Sequence, residues 1–233
     1  MTQLAMDSLP PDLTARERRI YEQVRPCTMT SPERVVAAIR AADYIATNGI
    51  AGDIVECGVW RGGSSMAIAL ALLEAGDTER SFFLYDTFAG MTEPTEHDVQ
   101  FDGTPAGEIL MRSAKDCDVW GIASLQDTRQ NLESTRYPRE RFHFVAGPVE
   151  ETIPRTVPDR IALLRLDTDW YASTLHELQH LYPLLSPRGI LIIDDYGHWR
   201  GAKQAADEFF ARLSPRPFLA RIDYTAVLTV KLP

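Results

Sequence analysis

The stretch Asp53-Ile-Val-Glu-Cys-Gly-Val-Trp-Arg-Gly-Gly-Ser-Ser65 decides how the rest of the chain is read. Ile54, Val55 and Cys57 make a short apolar strand around Glu56, and Gly58 lets the backbone turn without a side chain. Gly62-Gly63 then admit close approach before a helix over Ser64–Leu73. An acid, a glycine-rich turn and a helix N-terminus in succession form a ligand cradle, because the first-turn amides of the helix point at whatever sits there. The spacing is not the dinucleotide pattern G-x-G-x-x-G, since Val59, Trp60 and Arg61 separate Gly58 from the glycine pair. A ligand with an amino-acid end fits better, its carboxylate on turn amides or near Arg61 and its ammonium near Glu56. The bland alternative is a tight strand-to-helix turn with no ligand.

Outward from the cradle the chain alternates strand and helix almost to its end. With 233 residues and 45% hydrophobic content it can bury one full core. Residues 1–30 read as an N-terminal extension, a lid or oligomer arm with a short helix near Arg16–Tyr21; residues 31–233 read as a single domain. Ser31-Pro32-Glu33 starts a helix whose apolar stripe is Val35, Ile39, Ala42 and Ile45. Phe82–Asp86 is a second buried strand, and Asp86 at its end stands where doubly wound folds place an acceptor for ribose hydroxyls. Residues 87–105 carry Gly90, Pro94, Gly103 and Pro105 without periodicity and read as a mobile lid. Helices are expected over Ala106–Ala114 and Ser124–Leu132, and strands over Arg141–Gly147, Arg160–Leu166 and Ile190–Ile193. Gly147 places a possible adenine wall at the end of the third strand, and His143 reads as a plain strand-face histidine. A helix carrying Leu175, Leu178 and Leu181, a second over Gly201–Leu213, and a hairpin of Leu219–Ile222 with Ala226–Val230 complete the chain.

A formal charge of −9 argues against nucleic-acid and anionic-membrane partners, both of which need a basic face. No apolar run approaches the ~20 residues of a membrane span, and the first residues lack a secretory pattern, so a cytoplasmic protein is expected. Cys27, Cys57 and Cys117 have no metal-like or disulfide-like spacing and read as ordinary reduced thiols.

Successive strands end in acids: Glu56, Asp86, Asp167 and Asp194, with Asp169 and Asp195 close behind. Parallel strands bring their carboxyl ends to one edge, so these groups become neighbours. Asp167, Asp194 and Asp195 would repel one another if ionised and unneutralised, and a divalent cation relieves that. An all-oxygen set suits Mg²⁺ or Mn²⁺, and no cysteine–histidine cluster offers a zinc site. Helix caps and solvated loop acids are the structural alternative. His198, in Tyr196-Gly-His-Trp199, is a candidate base, a substrate contact or a surface histidine.

Five segments together carry a resemblance: Thr28-Met-Thr-Ser31, Gly52–Gly63, Tyr85-Asp-Thr-Phe88, Leu166-Asp-Thr-Asp-Trp-Tyr171 and Ile193-Asp-Asp-Tyr-Gly-His-Trp199. Over residues 28–213 the chain resembles the macrocin O-methyltransferase family, enzymes that use S-adenosylmethionine (SAM) to methylate sugar hydroxyls of antibiotics. Thr87 departs from the serine common there, and residues 89–105 match nothing. The resemblance implies an α/β class I SAM-dependent methyltransferase (Rossmann-like) fold with a seven-stranded, mostly parallel sheet and an antiparallel last strand. It also implies a glycoside acceptor and a homodimer or higher homo-oligomer. By the same resemblance, Thr28, Met29, Glu56, Gly58, Arg61, Ser64, Asp86, Gly147 and Asp167 contact SAM. Asp167, Asp194 and Asp195 hold Mg²⁺, and Asp169 is the base, with His198 as the other catalytic candidate. A catechol-type O-methyltransferase would use the same aspartates on a vicinal phenol pair, and a non-catalytic SAM-binding domain would keep the fold without the chemistry.

Overall fold

The computed structural model describes residues 9–114 and 118–233. Cys117 lies outside them; Cys27 and Cys57 are buried free thiols. Seven strands form one sheet in the order β3-β2-β1-β4-β5-β7-β6. They are β1 (Asp53–Cys57), β2 (Phe82–Asp86), β3 (Phe142–Ala146), β4 (Ile161–Leu166), β5 (Leu185–Ile193), β6 (Ala220–Arg221) and β7 (Val227–Val230). β1 to β5 pair in parallel, whereas β7 runs antiparallel to both β5 and β6. The class I methyltransferase fold, with its reversed last strand, is therefore present. β5 begins earlier than the expected Ile190: Leu185 already pairs with Ile161, and the ladder then skips to Ile190 opposite Leu163. The skipped Ser186–Gly189 segment, with Arg188 at φ 65°, carries the turn signal within one interrupted strand.

There are eight helices among the described residues: α1 (Ala15–Val24), α2 (Pro32–Thr47), α3 (Gly63–Glu74), α4 (Ala106–Arg112), α5 (Leu125–Ser134), α6 (Val149–Thr152), α7 (Tyr171–Leu181) and α8 (Arg200–Ala211). The expected caps are in place, Ser31 accepting from the Arg34 amide and Ser124 from the Asp127 amide. Period-two alternation divides the strand side chains between two cores. Ile54, Phe82, Leu84, Leu163, Ile190 and Ile192 face α1, α2 and α3. Val55, Cys57, Tyr85, Leu164, Leu166, Leu191 and Ile193 face α6, α7 and α8. By that parity Glu56, Arg165 and Asp194 continue the first face at the carboxyl edge, and the register sets Glu56 beside Arg165.

The N-terminal helix is not a detached arm. Ile20, Tyr21 and Val24 of α1 are buried in the same core as α2 and α3, and Arg16 reaches both Asp43 of α2 and Glu74 of α3. The boundary drawn at residue 30 thus falls inside a packed layer. Ile20 is 1% exposed, so Ile20→Ala should destabilise the protein by about 2–5 kcal/mol in urea unfolding; a loss under about 0.5 kcal/mol, normal for a surface position, would show that α1 does not contribute to the core.

Candidate active site

The ends of β1, β2, β4 and β5 open on a cavity of about 370 Å³. Its wall takes in Thr28, Met29, Gly58, Ser64, Asp86, Gly147, Asp167, Asp169, Asp194, Asp195 and His198. Of the expected site residues, Glu56 and Arg61 stand off this wall. Glu56 is 1% exposed and spent on Arg165, at 2.7 Å, and on the Ser65 hydroxyl. Arg61 turns outward to Asp127, at 2.8 Å, and to the Pro26 carbonyl, tying the cradle to α5 and to the chain leading into Thr28. Neither side chain is therefore poised to receive the ammonium or the carboxylate assigned to it from the sequence.

The cradle itself has the geometry that close approach demands. Gly58 has φ +80°, and a Cβ there would lie 1.9 Å from the Asp167 carbonyl oxygen, so β1 and β4 can meet at this point only through glycine. At Gly63 a Cβ would sit 2.5 Å from the Thr28 side chain. α3 starts from Gly62 with no side-chain cap, which leaves its first-turn amides open beside Gly63 and Ser64 on the cavity wall. That is a fit for a carboxylate end. Asp86 closes the turn from the other side: one carboxylate oxygen accepts from the Val59 and Trp60 amides at 2.7 and 2.8 Å, the other from the Phe88 amide. Two oxygens offer roughly four acceptor sites, so the acid shapes the cradle and keeps capacity for a ligand hydroxyl.

Beneath the cradle lies the acid cluster. Asp167, Asp194 and Asp195 each bring one oxygen to within 4.8 Å of the others. Two arginines that the sequence reading passed over already sit among them. Arg165 donates to Asp194 at 2.6 Å, to Asp167 at 2.8 Å and to Glu56; Arg34, from the first turn of α2, contacts the other Asp194 oxygen and Asp223. Burial works against ionising Asp194, but Arg165 and Arg34 outweigh it and hold the carboxyl below its ordinary value. The premise that a cation must relieve all three acids therefore fails for Asp194. Asp167 and Asp195 have no such compensation. Burial pushes Asp167 well up despite Arg165, and burial with the charges of Asp169 and Asp194 does the same to Asp195. One buried Asp195 oxygen, Oδ2, has no hydrogen-bond partner. An orphaned acceptor amid hard oxygen donors fits a divalent cation of the Mg²⁺ kind.

Asp169 stands next to this cluster on the loop after β4, at φ 67°, a backbone state rare outside glycine. The Trp199 indole donates to it at 3.1 Å, and burial followed by the Asp167 charge pushes its carboxyl up to about 7. The same loop is steadied by Thr168, which donates to the fully buried Glu177 at 2.9 Å. His198 is turned elsewhere: its Nε2 lies 3.0 Å from the Gln100 amide nitrogen and its Nδ1 3.5 Å from the Tyr224 hydroxyl. Burial and then Arg34 lower its pKa, so it is neutral above the ordinary histidine range. Arg165 was readable in principle, as the lone charge in a strand whose six residues are all buried. Arg34 carried no such mark, since a charged residue in a first helical turn is ordinary.

Fold and site define a class I SAM-dependent methyltransferase. Within that class the chain belongs to the macrocin O-methyltransferase family, whose profile, described as "Macrocin-O-methyltransferase (TylF)", matches residues 6–231. It is 34% identical over 200 residues to 8-demethyl-8-(2,3-dimethoxy-alpha-L-rhamnosyl)-tetracenomycin-C 4'-O-methyltransferase of Streptomyces olivaceus, covering 86% of this chain and 74% of that one. Demethyldecarbamoylnovobiocin O-methyltransferase of Streptomyces niveus is 32% identical over 201 residues, with the same two shares, 86% and 74%. Among solved structures, the O-methyltransferase NovP superposes with a TM-score of 0.77 at 28% identity, over 99% of this chain and 93% of NovP. The calicheamicin methyltransferase CalS11 gives 0.64 at 17% identity, over 99% and 96%, which is a likeness of fold.

Removing Arg34 leaves Asp194 under-compensated, so Arg34→Met should lower stability in chelator-treated protein by about 3–5 kcal/mol, read from urea unfolding. A change within about 0.5 kcal/mol would mean that Arg165 alone suffices. A pH effect follows from the raised carboxyls. Asp169, at about 7, and Asp167 and Asp195, also raised, hold protons in the folded state that the unfolded chain has released. Stability without metal should therefore fall as pH rises from about 4 towards Asp169's folded value. Thermal melts in EDTA across that window check the sign, and a Tm that climbs with pH would reverse it.

Proposed function

We propose that this enzyme transfers the methyl group of SAM to a sugar hydroxyl of a glycosylated natural product, with Mg²⁺ held by Asp167, Asp194 and Asp195. The observation that carries the reading is the unpartnered oxygen of buried Asp195 beside Asp167 and Asp194, with a carboxyl raised to about 7 next to it. The names of the relatives, which cite a rhamnosyl tetracenomycin and demethyldecarbamoylnovobiocin, support the acceptor class.

A sugar hydroxyl is a poor nucleophile near neutrality, and the site's residues address that. The open first turn of α3 and the Gly58 approach receive the amino-acid end of the cofactor, and Asp86 accepts from its ribose. Thr28, Met29 and Gly147 close the wall around it. When bound, SAM would supply an electrophilic methyl, and Mg²⁺ held by Asp167, Asp194 and Asp195 would supply Lewis-acid stabilisation of negative charge. Asp169 takes the hydroxyl proton; as a carboxylate whose conjugate acid lies near 7 it is a stronger base than an ordinary aspartate, and Trp199 fixes its direction. Trp170 and Trp199, both buried and packed edge to face, keep water from that side. Asp169 works when ionised, so turnover rises with pH through its pKa. A cation bound beside it moves that pKa down.

Asp169→Asn should cut turnover by roughly 10²–10⁴ while calorimetric affinity for S-adenosylhomocysteine stays the same, and EDTA should silence the wild-type enzyme until Mg²⁺ is restored. Full activity in Asp169→Asn rules out this base, and activity indifferent to EDTA rules out the metal.

A further inference from the structure

Of the three acids in the cluster, Asp194 carries a guanidinium on each oxygen: Arg165 donates to Oδ1 and Arg34 to Oδ2. Asp195, in contrast, keeps Oδ2 without a partner among the described residues. A divalent cation that takes the open Asp195 oxygen and one from Asp167 reaches Asp194 through an oxygen already held by a positive group. Two cations on one buried carboxylate repel each other, since little water stands between them. We infer that Arg34 is a displaceable counter-cation: it neutralises Asp194 in the folded chain, yields that oxygen to the divalent cation, and remains tethered to Asp223. The inference rests on the metal in the reading above and adds to it the group that the metal must displace.

Of the two guanidiniums, Arg34 is the one free to leave. Arg165 projects from a fully buried strand, and Glu56 and Asp167 hold it as well as Asp194. Arg34 reaches in from the first turn of α2 and meets Asp194 through a single nitrogen, Nη1. Its Nε donates at 2.9 Å to Asp223 Oδ2, which also accepts from the Ser31 hydroxyl at 2.8 Å. Asp223 is itself fixed, because its other oxygen accepts from the Thr225 and Ala226 amides at 2.9 and 2.8 Å. The Nε bond is thus a hinge on which the terminal nitrogens can turn. The Tyr224 ring, 5.9 Å from Arg34 Cζ, offers them a π face, and the cavity that Arg34 lines offers them water. Burial works against the Arg34 charge, but Asp194, Asp223, Asp195 and Asp167 together outweigh it. Arg34 therefore stays charged, in the field of the same acids that a metal would use.

Bracing and competing differ in sign. If Arg34 only braced Asp194, its loss would loosen one ligand and weaken the metal site. As a counter-cation, its loss removes both a positive charge and an occupant from the position the metal needs, and affinity rises. The arrangement gives buried Asp194, 3% exposed at its side chain, a positive partner whether or not a divalent ion is bound. An uncompensated carboxylate there would oppose folding. The consequence is a metal site weaker than its three acids alone would make.

The test is titration of the full chain with Mn²⁺ alone, the free ion being followed by its electron paramagnetic resonance signal, and with Mg²⁺ alone by calorimetry. Arg34→Met should bind either ion at least about 10-fold more tightly than the wild-type protein. Equal or weaker binding by Arg34→Met, with the wild type binding normally, overturns the counter-cation and leaves the metal reading standing. Binding by neither protein overturns the metal reading and the counter-cation with it. A second measurement covers a variant that folds poorly without metal. The stability lost by Arg34→Met in EDTA, read from urea unfolding, should be partly restored by saturating Mn²⁺, because the ion then supplies the missing positive charge. A gap to wild type that stays the same or widens in Mn²⁺, or a variant that remains unfolded there, overturns the proposal.

Discussion

Everything at the carboxyl edge of the sheet depends on one guanidinium. Arg165 sits inside a fully buried strand, 4% exposed at its side chain, and binds Glu56 of β1, Asp167 just beyond β4 and Asp194 just beyond β5. Taking such charges from water costs several kcal/mol per ion, and only short, well-aimed bonds offset it. The strand register supplies them by setting Glu56 beside Arg165 on the face shared with Ile54 and Leu163. One cation thereby fixes the relative positions of three strand ends, and the cavity is the space between those ends.

The same constraint joins the cofactor cradle to the acid cluster. Gly58 approaches the Asp167 carbonyl so closely that a methyl group would not fit, so the turn that receives a carboxylate and the loop that carries the acids share a wall. Glu56 extends this link, since its second partner is Ser65 in the first turn of α3. A group assigned to ligand binding on its position in a motif is here the brace that aims the cradle. Asp86 does related work through the Val59 and Trp60 amides while still facing the cavity.

Residues 87–105 show how an aperiodic stretch becomes ordered. Asp98, fully buried, accepts from the Thr95 amide and hydroxyl and from the Tyr171 amide at the start of α7. Its neighbours bond to the loop after β5 through the Phe101 amide and to α8 through the Val99 carbonyl. The segment is thus a strap whose bonds go to distant elements. Glycines and prolines announced the lack of helix or strand, but not where the polar groups would find partners.

The sequence by itself determined the alternation of strand and helix, the reversed closing hairpin, the cradle, and the convergence of Asp167, Asp169, Asp194 and Asp195. These follow from local periodicity, from turn chemistry, and from the rule that parallel strands end on one edge. Tertiary structure alone decided how the charges are shared. Arg34 lies 160 residues from Asp194 in the chain, and Arg165 lies 109 from Glu56; no local pattern relates such pairs, and the packing of α2 on the sheet and the register of β1 with β4 do. It likewise decided that α1 is core, that Glu56 and Arg61 face away from the cavity, and that His198 is turned to Gln100 and Tyr224. Each of these depends on which side of an element is covered by another, a fact settled by packing between distant parts of the chain.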